Sequence, residues 1–275
     1  MIDSVLQNID SLKKELDNLR PLSEEILISL QDAMEMEYTY ESNRIEGNTL
    51  TLQETALVVK EGLTISGKSM REHLEAIGHA EAVEYIKELV SDAVLVSENV
   101  IKDIHAIVLR SIDKRNAGRY RTVPVMITGS RHIPPQPYMV QKEMEDFLET
   151  FYAKEAEGVH PVLLAAYLHD ELVRIHPFID GNGRTSRLLM NMYLLSKGYC
   201  MVVLKGSNDD RVRYYKALEK SHVDHDSDDF YGMVAEAEYS MLQKYILQTC
   251  KFWEVSSPIK KIVLMPTTMN SQTIS

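Results

Sequence analysis

Apolar residues recur at three- and four-residue intervals through most of the chain, and β-branched alternation is scarce, so the pattern predicts an all-α protein. Helices are expected over about 3–18, 23–46, 52–63, 70–92, 98–112, 137–154, 160–175, 184–197, 208–222 and 227–251. Local signals sharpen several of these boundaries. Pro161 suits a first helical turn, and Leu164, Leu168, Leu172 and Ile175 then mark one apolar face. Pro177 disfavours α geometry at His176, so that helix should stop at the histidine. Leu188, Leu189, Met192 and Leu195 resume a helical stripe, closed by Lys197 and Gly198. Thr51 and Glu54 have the spacing of a capping box and open another helix. One stretch departs from the pattern. Residues 123–128 (Val-Pro-Val-Met-Ile-Thr), the Gly129-Ser130 pair and the following Arg131-His132-Ile133 predict a small β-hairpin with a glycine turn. A lone hairpin is marginal in water, so this one must lean on or pair with something.

A length of 275 residues allows one large domain, or a domain with an accessory segment, and buries enough surface to need no disulfide or structural metal. Hydrophobic residues at 44% and charged residues at 26% are ordinary for a globular chain and exclude a wholly disordered or collagenous one. The net charge of −11 argues against broad binding to nucleic acid or anionic lipid, although a local basic site survives that argument. Cys200 and Cys250 lie far apart with no CxxC pattern, which fits a reducing, cytoplasmic setting. The N-terminus lacks an apolar export signal and no apolar run approaches the roughly 20 residues of a membrane span, so neither export nor insertion is expected. After Glu254 there is no further acid. Residues 252–275 therefore read as a C-terminal tail, with at most a short strand over 262–265.

The chemistry is concentrated in His176-Pro-Phe-Ile-Asp-Gly-Asn-Gly-Arg-Thr-Ser-Arg187, a tight turn between two buried helices. Gly181, Asn182 and Gly183 can aim successive backbone N–H groups at one point, and such a nest at a helix N-terminus attracts phosphate. Arg184 and Arg187 fall on one helical face, where two guanidinium forks can grip phosphate oxygens. Cations there oppose the helix dipole, so their placement asks for an anion. Asp180 offers a hard oxygen for Mg²⁺, which typically takes one or two carboxylates together with substrate phosphates. His176 offers an imidazole suited to general-base work. A plain loop flanked by solvated arginines would account for any one of these residues, but hardly for the whole string.

The segment HPFIDGNGRTSR matches the HPFx[D/E]GNGRxxR signature of the Fic (Fido) family at every position, and the chain resembles that family over roughly residues 40–250. Gly118-Arg119-Tyr120-Arg121 is similar to the family's approach to its flap, and Arg213-Tyr214-Tyr215 to its nucleotide-side helix. IEGNTLTL and HPFIDGNGRTSRLLMN look like the animal endoplasmic-reticulum branch, whose anchor and repeat domain have no counterpart in this sequence. The resemblance implies a Fic-type helical bundle with a small β-hairpin flap. It divides the chain into an N-terminal helical region (1–95) carrying an inhibitory motif, a catalytic core (96–251) and the tail.

By the same resemblance the activity is protein adenylylation: AMP passes from ATP to a Ser, Thr or Tyr hydroxyl of a target protein or of the enzyme itself, and pyrophosphate leaves. His176 would take the hydroxyl proton, Asp180 hold Mg²⁺, residues 181–183 bind phosphates, and Arg184 and Arg187 steady the pyrophosphate. Val125, Met126, Ile127 and Thr128 would bind the target by edge pairing. Gly183 stands where the family's kinase-like branch carries Lys, which favours AMP transfer. Tyr214, Tyr215 and His222 either line the nucleoside pocket or fill core, and His222 replaces the family's adenine-side Asn. Ser42 and Glu46, with Gly47, match the inhibitory pattern [S/T]xxxE[G/N], so Glu46 is expected to bind Arg187 and misplace ATP. A homodimer is implied by resemblance alone. The competing readings are removal of AMP from a modified target with Glu46 orienting water, a metal-dependent phosphodiesterase built on His176 and Asp180, and a non-catalytic nucleotide-binding regulator.

Overall fold

The computed structural model describes residues 2–20 and 24–256; the side chains of 24–31 and 250–256 lie outside that description. The described residues form ten α-helices: α1 (Ile2–Leu19), α2 (Glu24–Ile45), α3 (Leu52–Glu61), α4 (Met70–Ser91), α5 (Glu98–Leu109), α6 (Val140–Ala156), α7 (Pro161–Ile175), α8 (Asn182–Ser196), α9 (Asn208–Asp224) and α10 (Asp228–Ser256). A single 3₁₀ turn, Pro137–Met139, leads into α6. Each helix falls on a periodic stretch of the sequence. Thr51 accepts from the Glu54 N–H and Glu54 reaches back to the Thr51 N–H, so the expected capping box opens α3. Ser69 and Glu72 form a second one at the start of α4.

Helix α8 is the axis of the molecule. Leu188, Leu189, Met190 and Leu194 are fully buried, and α7, α4 and α5 surround the helix. One hydrophobic core runs from Leu6 to Ile246, joining α1, α2 and α4 to the later helices. A fully buried Leu or Ile contributes about 1.5–3 kcal/mol to such a core, so α8 is held far more rigidly than its helix propensity alone would hold it. Leu50, Val58 and Ala76 make a smaller cluster between α3 and α4. Helix α1 lies along α10.

The expected β-hairpin is corrected. No β-strand occurs among the described residues, and residues 123–133 form an extended loop with a turn in which the Ser130 N–H donates to Ile127 O at 3.1 Å. Pro124, Pro134 and Pro135 have no N–H to give to a ladder. At the turn, Glu219 of α9 takes the donors instead: Arg131 N–H at 3.0 Å, Arg131 Nε at 2.9 Å, and the Ser130 hydroxyl. The loop leans on α9 rather than pairing with itself. The short strand expected over 262–265 lies outside the described residues.

Candidate nucleotide-binding site

His176 caps α7 in the left-handed conformation, φ 51°, with its N–H on Leu172 O at 3.0 Å. That conformation reverses the chain so that residues 177–181 loop over to α8. Asn182 holds the loop shut. Its side chain accepts from the Phe178 N–H at 3.0 Å and donates to Phe178 O at 2.9 Å, and it is buried. The Asn182 side chain is thus spent on the loop, and only its backbone N–H faces an incoming anion. Gly181 takes φ 78° as the N-cap of α8, leaving the first-turn N–H groups of that helix without helical partners. These groups and the positive end of the helix dipole would serve as a seat for an anion.

Both arginines of the motif lie under this seat, each almost wholly buried. Arg187 is saturated by helix α2 and its surroundings. Its Nε donates to Ser42 Oγ at 2.9 Å, Nη2 to Ser42 O at 2.9 Å and to Glu46 Oε1 at 2.7 Å, and Nη1 to Tyr214 OH at 3.2 Å. Burial works against its charge, but Tyr214, Glu46 and Tyr38 outweigh this and raise its pKa above the ordinary arginine value. Arg184 is the opposite case. It approaches Asp180 Oδ1 at 3.4 Å and Glu75 Oε1 at 3.7 Å, while its Nε and Nη1 are buried without a hydrogen-bond partner. Unpaired buried guanidinium N–H groups beside an anion seat fit a phosphate.

Glu46 closes the seat. It follows the last residue of α2, and its carboxylate lies so close over Gly183 that a Cβ there would clash with Glu46 Oε1. Gly206 admits this end of α2, because a Cβ at position 206 would meet Arg44 and the Ile45 backbone at 2.9 Å. Tyr215 OH donates to Ile45 O at 3.1 Å. Tyr215 therefore braces the end of α2, and Tyr214 braces Arg187.

His176 is largely buried, and burial pushes its pKa down to about 4. Its Nδ1 lies 3.3 Å from Val173 O, a contact that requires Nδ1 to carry the proton and leaves Nε2 with a free lone pair. Asp180 Oδ1 accepts from the Gly181 N–H at 2.6 Å, and Oδ2 accepts from Arg71 Nη2 at 2.6 Å. Burial opposes ionisation of Asp180, but Arg184, the Gly181 N–H and Arg71 overcome it and hold the carboxyl below its usual range. Among the described residues no group of three or more His, Cys, Asp or Glu converges on a point. A divalent cation here would therefore rest on Asp180 together with phosphate oxygens, which suits Mg²⁺.

Three supporting residues carry no signal within the motif. The His105 ring stacks on Phe178 with centroids 3.6 Å apart, accepts the Gly118 N–H on Nδ1 at 2.9 Å and so donates Nε2–H to Asp180 O at 2.9 Å. Arg121, buried, donates to His176 O at 2.8 Å and to Pro135 O at 2.5 Å, tying the 176–181 loop to the 123–135 segment. Arg71 is the third. On the loop itself Met126 is 93% exposed, Val125 and Ile127 are half-buried and Thr128 is exposed. His222 is buried with Nε2 on Asp170 Oδ1 at 2.9 Å, a contact that occupies the group expected beside the base.

The Fic/DOC family model matches residues 95–194. The structure of Fic-1 from C. elegans superposes with a TM-score of 0.81 at 30% identity, covering 93% of this chain and 74% of that one. The chain belongs to the Fic/DOC family. A Fic domain-containing signaling protein from Bacteroides thetaiotaomicron has the same fold, with a TM-score of 0.80 at 29% identity over 89% of this chain and 97% of that one. The protein adenylyltransferase Fic of Nematostella vectensis is 35% identical over 246 residues, 89% of this chain and 56% of that relative. This Fic chain spans about half the length of the curated relatives it matches. The Fic match covers α5 to α8, so Ser42, Glu46 and Arg71 reach the site from outside it. No helix among the described residues is long and apolar enough to cross a membrane.

Proposed function

We propose that this protein is an autoinhibited protein adenylyltransferase that moves AMP from ATP to a Ser, Thr or Tyr hydroxyl of a target protein. The observation that carries the reading is the Glu46 carboxylate seated over Gly183 and bonded to Arg187 at 2.7 Å. An anion seat filled by the protein's own carboxylate is what a switched-off phosphate site requires. The residues divide the work. His176 Nε2 removes the proton from the target hydroxyl, whose oxygen attacks the α-phosphorus in line. The bond to the β-phosphate oxygen breaks, and pyrophosphate leaves against Arg184 and the α8 N-terminus. Asp180 would hold Mg²⁺, which when bound would neutralise phosphate charge. The protein mainly positions the reactants and stabilises charge, and no covalent enzyme intermediate is needed.

In this reading residues 1–95 regulate and residues 96–251 catalyse. The exposed 123–133 segment would receive an extended piece of the target through its backbone. Glu46 keeps the γ-phosphate from Arg187, so ATP binds in an unproductive pose. The decisive measurement uses α-³²P-ATP and, in parallel, γ-³²P-ATP, each with magnesium and cell lysate, on wild type, Glu46→Gly and Glu46→Gly/His176→Ala. Labelling of protein, including self-labelling, should rise at least tenfold with Glu46→Gly and vanish in the double variant. Equal labelling by wild type and Glu46→Gly would remove autoinhibition, and label arriving only from the γ-phosphate would make the protein a kinase.

Glu46 supports one further activity, because its side chain is a third exposed and its charge reaches His176. From that position it would orient a water for removal of AMP from a modified target. Loss of AMP from a pre-labelled target with wild type but not with Glu46→Gly would establish that second activity.

A further inference from the structure

The two oxygens of Asp180 are not equivalent. Oδ1 belongs to the loop, held by the Gly181 N–H and facing Arg184. Oδ2 is the oxygen left for an external cation, and Arg71 Nη2 sits on it at 2.6 Å. Arg71 comes from the first turn of α4, and its Nε is tied separately to Glu75 Oε1 at 3.0 Å. Its side chain is 57% exposed and that of Asp180 43%, so the guanidinium can leave Oδ2 for water while Nε stays on Glu75.

The origin of Arg71 gives this contact a meaning beyond a surface ion pair. The start of α4 is bonded to the chain just past Glu46: Glu72 Oε1 accepts Thr49 N–H at 2.9 Å and the Thr49 hydroxyl at 2.6 Å, and Asn48 Nδ2 donates to Glu72 O at 3.0 Å. One assembly thus delivers a carboxylate to the anion seat and a guanidinium to the carboxylate beside it. Together they reproduce the charge pattern of a metal-bound polyphosphate.

We propose that Arg71 is an internal cation that competes with the divalent metal for Asp180, a second latch on the nucleotide site beside Glu46. This rests on the reading of Asp180 as the metal-binding residue. Metal entry must displace Nη2 from Oδ2, and an exposed pair of this kind opposes it only modestly.

Isothermal titration with ADP, which lacks the γ-phosphate that contends with Glu46, separates the two latches. Wild type, Arg71→Ala, Arg71→Gln and Asp180→Ala are each titrated with magnesium and with EDTA. Both Arg71 variants should bind Mg-ADP roughly 2- to 5-fold more tightly than wild type, with metal-free ADP no tighter. The exposed position of Arg71 should leave the melting temperature unchanged, which checks folding. Mg-ADP affinity that is unchanged or weaker in both variants overturns the proposal, the weaker case making Arg71 a phosphate ligand. If Asp180→Ala loses the magnesium effect while the Arg71 variants match wild type, only the competition fails. If Asp180→Ala keeps the magnesium effect in full, or wild type binds no ADP, the functional reading fails with it.

Discussion

His176 shows how one side chain is prepared by its surroundings. An imidazole in water is half protonated near pH 6.5, and as a base it would lose half its activity there. Burial pushes His176 down to about 4, and Val173 O fixes the proton on Nδ1. The sign follows directly: a depressed pKa keeps the base neutral, so protonation should not limit the reaction until the pH approaches 4. In the Glu46→Gly variant, the labelling rate is expected to stay level from pH 8 to pH 6. A fall with a midpoint near 6.5 that matches the His176 titration seen by NMR would contradict this. The residues of the anion seat were legible in the sequence because twelve contiguous positions carry them. Arg71 and His105 were not, because each arrives from another element and owes its role to a contact that only the fold creates, and Arg121, noted with the approach to the flap, gave no sign of its bond to His176 O. Asn182 shows the converse. Its position in the motif suggests a ligand, yet both polar atoms of its side chain are spent on the Phe178 peptide groups.

Helix α2 has a polar face that would be costly without the site. Ser42 and Glu46 give Arg187 three of its hydrogen bonds, and Arg187 is only 1% exposed. Removing one partner of a buried charge leaves the other uncompensated, at a cost of about 3–5 kcal/mol when water is excluded. Glu46 is a third exposed, so water can partly replace it, and a loss of roughly 1–2 kcal/mol is the better figure. Glu46→Gly should therefore melt below wild type without ligand, and Mg-ATP should stabilise it by more than it stabilises wild type. A larger ATP-induced thermal shift in wild type would show that Glu46 does not occupy the phosphate seat. At this scale all ten helices were legible, since apolar periodicity survives wherever a helix has one buried face. The 123–133 segment was misread because Val125 to Thr128 looks like a strand, while the side chain that replaces its ladder, Glu219, lies in another helix.

The whole molecule carries buried ionisable groups whose effects on stability have opposite signs. Burial lowers the pKa of His79 and His169 well below the ordinary imidazole value, and it pushes His105 and His176 down to about 4, so the last two are neutral in the folded protein near pH 5 while the unfolded chain is protonated. The contribution of His105 and His176 is lost as the pH falls from about 6.5 towards 4, at up to about 1.4 kcal/mol per pH unit for each of the two. Glu238 works the other way. It is fully buried on α10, and burial raises its pKa well above 4.5, although the Cys200 N–H and Lys13 oppose the shift. A carboxyl with a raised pKa adds stability that is fully present below 4.5 and is progressively lost as the pH rises towards its folded value. Glu238→Gln copies the protonated form and carries no such loss. Melting temperatures of wild type and Glu238→Gln should run parallel below pH 4.5 and separate steadily above it, with the variant several degrees higher by pH 8. The histidines are common to both proteins and cancel from the difference, so the separation reports Glu238 alone. A difference that stays constant from pH 4 to 8 would mean that Glu238 ionises as readily in the fold as in water, against its burial beside the Cys200 N–H.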